Sequence, residues 1–146
     1  MGYTHYWTQK RTLSDTEWNE VRMAAVGIFV MCHARGIALG DWEGKNAPEI
    51  DNDVVSFNGA RGNSCETCMI TKRHRPIRSW FCKTNRQPYD AAVTALLIFL
   101  ADRFPEAFDI STDGDAADWE DGLTLIREAD PGHEYVNPFG DGREAA

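Results

Sequence analysis

Ser14-Asp15-Thr16-Glu17, followed by Trp18, Val21, Ala25, Ile28, Phe29 and Cys32, is the stretch that decides the fold class. A serine hydroxyl that accepts from the amide three residues on, with a glutamate there to reach back, makes a capping box. The apolar residues behind it recur at intervals of three and four, the spacing that lines one helical face. The pattern predicts a helix over 14–35, closing near Gly36, a residue suited to the position just past a helix. A second stripe, Val93, Leu96, Leu97, Leu100 and Phe104, runs between Pro88, which fits a first helical turn, and Pro105, which stops it. It predicts a helix over 88–104. Asp115 can cap a shorter third helix with Trp119, Leu123 and Ile126 on its buried side.

The segments around these helices read as strands. Residues 53–57 are β-branched and aromatic, and Asn58-Gly59 is a strong hairpin pair. Residues 65–71 make the partner, 79–84 a third strand, and 108–111 a short fourth. Neighbours in sequence suggest a meander. Residues 1–13 read as an extended arm or first strand, and 36–48 as a loop. The expected fold is α+β: an antiparallel sheet of four to five strands, two main helices packed on one face, and a shorter third helix. Residues 1–130 form one domain in this reading, and 131–146, rich in Pro and Gly, form a flexible C-terminal tail.

The chain has 146 residues, 42% hydrophobic and 26% charged, a globular balance. A domain of this length buries roughly 70% of the surface of its unfolded chain. The formal net charge of −8 argues against general nucleic-acid binding, which needs a basic surface, and against anionic membranes. No segment approaches the ~20 apolar residues of a membrane span. The opening residues lack the apolar run of a signal peptide. The cytoplasm is therefore the expected compartment, where Cys32, Cys65, Cys68 and Cys82 would stay reduced.

Three motifs invite chemistry. Cys65-Glu66-Thr67-Cys68 has the spacing of a zinc half-site, but residues three apart on a strand face opposite sides, so buried thiols are the better reading. Asp109, Ser111, Asp113, Gly114 and Glu120 match positions of a calcium loop, yet Ala116 and the early stop at Pro105 favour a strand, a turn and an acid-capped helix. Arg61, Lys72, Arg73, Arg75, Arg78, Lys83 and Arg86 crowd one region, interleaved with Trp80, Phe81 and Tyr89. Local cations attract phosphate despite an unfavourable net charge, and aromatic faces stack on bases. No P-loop, dinucleotide fingerprint or nucleophile elbow is present in the sequence.

The opening Met1-Gly2-Tyr3-Thr4-His5-Tyr6-Trp7, with Phe57-Asn58-Gly59, Phe81-Cys82-Lys83-Thr84, Pro88-Tyr89-Asp90, Asp113-Gly114 and Trp119, resembles a family of small phage and prophage proteins of uncharacterised function. The resemblance extends to about residue 126; the C-x-x-C pair and the basic 72–78 stretch lie outside it. It implies a phage accessory protein, a class that often opposes host defence. The expected function is sequestration of a small nucleotide-like anion, without a cofactor and without catalysis, possessing Lys83, Arg86 and Arg61 on phosphate. Tyr6, Trp7 and Tyr89 would stack on a base, while Thr84, Asn58 and Asp113 would supply directional hydrogen bonds. A homo-oligomer would help so small a subunit enclose its ligand. Two alternatives stand beside this reading. One is an inhibitor whose acidic 109–121 surface docks on a host defence protein. The other is a metal-dependent nucleotide hydrolase using Asp109, Asp113 and Asp115, with His5 as base.

Overall fold

The structure, a computed structural model, describes residues 2–76 and 79–140. Its first strand, β1 (Thr4–Gln9), leads into α1 (Asp15–Ala34) through the expected capping box. Ser14 Oγ accepts from Glu17 N at 3.1 Å, and Ser14 N donates to Glu17 Oε1 at 2.8 Å. Trp18, Val21, Ala25, Ile28 and Cys32 of α1 are buried. Then come β2 (Leu39–Gly40), β3 (Glu49–Ile50), β4 (Val54–Gly59) and β5 (Cys68–Thr71). The chain continues through β6 (Trp80–Lys83), α2 (Asp90–Arg103), β7 (Phe108–Thr112), a 3-10 turn over Ala116–Trp119 and α3 (Glu120–Ala129).

The class is α+β with antiparallel strand pairing throughout, as the sequence predicts, but the strands divide between two sheets. In one, β1 is central between β6 and β7, so His5 stands opposite both Cys82 and Thr112. In the other, β4 pairs with β2, β3 and β5. The expected meander therefore breaks after β5, because β6 leaves to pair with the N-terminal strand. The hairpin turn also moves. Asn58-Gly59 ends β4, and the chain reverses at Arg61 and Gly62, both at positive φ (57° and 85°), with Asn63 N donating to Ala60 O at 3.1 Å. Two adjacent residues at positive φ suit the twist of a hairpin.

Helix α2 is the more deeply buried of the two main helices. Every residue from Ala92 to Leu100 is buried, and α2 packs on α1, α3 and β7. A helix apolar all round belongs in the centre of a core. Its one polar residue there, Thr94, turns its hydroxyl back to Asp90 O and Ala91 O. The expected loose tail is fastened as far as residue 140. Tyr135 is fully buried, its carbonyl accepts from Arg127 Nη2 at 2.9 Å, and its hydroxyl donates to Asp130 at 2.7 Å. Phe139 meets Trp119 edge to face at 4.9 Å. The remaining tail, 141–146, lies outside the described residues. No helix among the described residues is long and apolar enough to cross a membrane.

Candidate functional site

Two constellations could carry function. The first is a cleft of about 610 Å3 between the end of α1, the loop after β2 and the β4–β5 turn. That volume is in the range of small-molecule sites. His33, Lys45 and Arg61 line it, and no Asp or Glu does. None of the three side chains has an ion-pair or hydrogen-bond partner among the described residues. By contrast Lys10, Arg11, Arg35, Lys72, Arg86 and Arg103 are each engaged by a carboxylate. Phe29, Ile37 and Pro48 supply apolar wall.

Local chemistry holds two of the cations in place. Asp41 is buried, and its Oδ1 accepts from Glu43 N, Lys45 N and Asn46 N at 3.1, 3.2 and 3.4 Å. Its Oδ2 accepts from Asn46 Nδ2 at 3.1 Å. Burial alone would raise the Asp41 pKa, but these hydrogen bonds outweigh it and hold the pKa below the ordinary value. The caged carboxylate thus fixes the loop that presents Lys45. Arg61 is fixed by the hairpin turn, in a left-handed conformation that an arginine adopts at a cost.

The second constellation is a buried polar relay at one end of β1. His5 is fully buried. Its Nε2 lies 2.7 Å from Asp90 Oδ1 and its Nδ1 2.8 Å from Thr112 Oγ1. A carboxylate only accepts, so Nε2 carries the proton; in the neutral ring Nδ1 then accepts from the Thr112 hydroxyl. Thr84 Oγ1 also donates to Asp90 Oδ1, at 2.5 Å, and Gly114 N donates to Thr112 Oγ1 at 3.1 Å. The rings of Tyr3 and Trp119 each meet His5 edge to face at 5.0 Å. Tyr3 Oη and Trp119 Nε1 are buried without a hydrogen-bond partner among the described residues. The Tyr3 pKa is pushed up to about 12, by burial first and then by Asp90 and Asp118. Arg86 stacks over the Tyr3 ring at 3.9 Å and pairs with Asp118.

The nine residues expected from sequence to bind ligand do not form one pocket. Arg61 alone lines the cleft. Thr84 and Arg86 sit beside the relay. Tyr6, next to His5 in β1, turns to the other face of the strand and donates from Oη at 3.0 Å to Asp113, which also accepts from Thr4 N at 3.1 Å. Lys83 is half-buried near Gly2. Trp7 is buried in the core, and so is Tyr89, whose hydroxyl donates to Glu66 O at 2.5 Å; neither ring offers a face for stacking. Asn58 is buried and saturated. Its Oδ1 accepts from Gly59 N and Cys65 N, and its Nδ2 donates to Cys65 O and Thr67 Oγ1. Of the basic stretch, Lys72 pairs with Asp15, Arg73 and Arg75 are exposed, and Arg78 lies outside the described residues.

Sequence reasoning missed His33 and Lys45 as neighbours of Arg61 in one cleft, because nothing local announces which loop residue meets a distant helix end. It also quoted Asp90 and Tyr3 without giving them roles. Among the described residues no group of three or more His, Cys, Asp or Glu side chains is placed to hold a metal. Cys68 and Cys82 are buried together, and burial and their mutual contact push the Cys68 thiol well up. The calcium-like segment folds as a strand, a turn and a capped 3-10 turn, with Asp115 accepting from Asp118 N. Comparisons with protein-family models, with curated proteins and with solved structures find no match to this chain.

Proposed function

We propose that this chain binds and sequesters a small anionic, nucleotide-like ligand in the His33–Lys45–Arg61 cleft. One observation carries the reading: Lys45 and Arg61, with no acid partner among the described residues, line a cleft together with the His33 imidazole and no carboxylate, in a chain of net charge −8. Unpaired cations held together repel one another, and an anion removes that repulsion. The apolar wall of Phe29, Ile37 and Pro48 suits the uncharged part of such a ligand. Capture of a defence signal by a phage accessory protein is the context that the motif resemblance adds to this proposal.

The test is direct. The purified chain is incubated with a panel of cyclic and linear nucleotides, washed and heat-denatured, and the released compounds are identified. Intact nucleotide, taken up by wild type and by Lys83→Ala but lost in Lys45→Ala and Arg61→Ala, is the expected result. Uptake that survives both cleft substitutions would refute it. A second reading, contact with another protein, is favoured by Met23, Val26 and Val30, which stand exposed along one side of α1. Concentration-dependent assembly in light scattering, abolished by Val26→Glu, would support that reading.

A further inference from the structure

Independently of the cleft, the relay on β1 has the parts of a nucleophilic site. We propose that Thr112 is a nucleophile activated through His5 and Asp90, and that the site acts on an activated acyl compound, an ester or thioester. A nucleophilic hydroxyl needs a base within hydrogen-bond reach and a third group that fixes the base. Thr112 Oγ1, His5 Nδ1, His5 Nε2 and Asp90 Oδ1 stand in that order at 2.8 and 2.7 Å. The carboxylate fixes the proton on Nε2, so in the neutral ring Nδ1 is the nitrogen that accepts the Thr112 proton. Exposure follows the same order: Thr112 is half-buried at the end of β7, while His5 behind it is sealed from solvent.

Two donors beside this network lack a hydrogen bond of normal geometry among the described residues. Tyr3 Oη and Trp119 Nε1 sit in the shell of His5 with no acceptor among the described residues. A buried polar group left without a partner is costly to hold. Tyr3 Oη lies against Gly114, so close that a Cβ there would come within 2.5 Å of it. Gly114 is also the residue whose amide reaches the Thr112 hydroxyl. The Tyr3 phenol thus lies in the same corner as the nucleophile, near enough to interact with the Thr112 hydroxyl, and burial keeps it protonated. A substrate carbonyl oxygen seated there would accept from it. Arg86, with more than half of its side chain exposed, roofs the Tyr3 ring and pairs with Asp118.

The chemistry balances without another reagent than water. Thr112 Oγ attacks the carbonyl carbon while its proton passes to His5 Nδ1. The carbonyl π pair moves onto oxygen, where Tyr3 Oη–H stabilises it. Collapse of this intermediate breaks the carbon–oxygen or carbon–sulfur bond, and His5 returns the proton to the departing alcohol or thiol. Water then attacks the Thr112 ester, giving a proton to His5, and Thr112 leaves with that proton as the carboxylic acid is released.

The probe is a biotinylated fluorophosphonate, which such a hydroxyl attacks with loss of fluoride. The full chain is labelled at neutral pH, and the adduct is located by peptide mass spectrometry. A single adduct on Thr112 is expected, retained at position 112 in Thr112→Ser and absent in Thr112→Val. Asp90→Asn should slow labelling on the order of a hundredfold or more, with its fold verified by circular dichroism. A folded wild type that takes no label, or label that persists in Thr112→Val, overturns the proposal. If Thr112→Val does not fold, label anywhere other than position 112 in Thr112→Ser overturns it equally.

Discussion

Arg61→Gly separates a ligand contact from a structural residue more sharply than alanine does. Arg61 holds φ at 57°, a region where a Cβ costs about 1–2 kcal/mol and glycine costs nothing. Against that relief stands the larger freedom of glycine in the unfolded chain, about 0.4–1 kcal/mol. The net effect on folding is therefore a gain of roughly 0–1.5 kcal/mol, since the side chain makes no bond among the described residues to lose. Binding moves the other way. Losing a charge-assisted hydrogen bond to an anion removes about 1.5–3 kcal/mol, a roughly 10- to 150-fold weaker Kd. The assay pairs a urea melt of the free protein with calorimetric titration of whichever nucleotide wild type releases on heating. Unchanged affinity in Arg61→Gly would refute the cleft as the binding site. A loss of more than about 1 kcal/mol in folding would instead show that the arginine supports the hairpin.

Asn58→Ala should lower stability by about 2–4 kcal/mol in urea melts, because it strips both the Cys65 amide and the Cys65 carbonyl of partners in a buried turn; a change under about 0.5 kcal/mol would contradict this. Acid should destabilise the fold. Glu17 is held at about 2, first by its hydrogen bond to Arg11 and then by the Ser14 amide, against an ordinary value of 4.5. Its folded pKa lies below its unfolded one, so its contribution is full above pH 4.5 and fades as pH falls toward 2. Melting temperature should decline through that window, and Glu17→Gln should flatten the slope; an unaltered slope would count against the assignment. Of the four cysteines, only Cys65 is not fully buried. One thiol should react rapidly with a disulfide reagent in the folded protein, and three only after unfolding. Burial also pushes the Cys32 thiol up to about 12, so rapid modification of Cys32 at neutral pH would be inconsistent with the fold.

What the sequence by itself determined is whatever physics acts over a few residues. The Ser14–Glu17 box, the stripes of α1 and α2 and the Asp115 cap are local patterns, and each forms where the residues say it should. Arg61 was singled out from charge, and it lines the cleft. Only tertiary structure decided that β1 is a central strand between β6 and β7, because pairing across a hundred residues leaves no local trace. It also decided which polar and aromatic residues are buried and which reach the surface. Trp7, Tyr89 and Asn58 are the same residue types whether they line a pocket or seal a core, and their burial depends on what packs opposite them. His33 and Lys45 join Arg61, and Thr112 meets His5 and Asp90, through long-range folding of the chain, which is why neither site could be assembled from spacing.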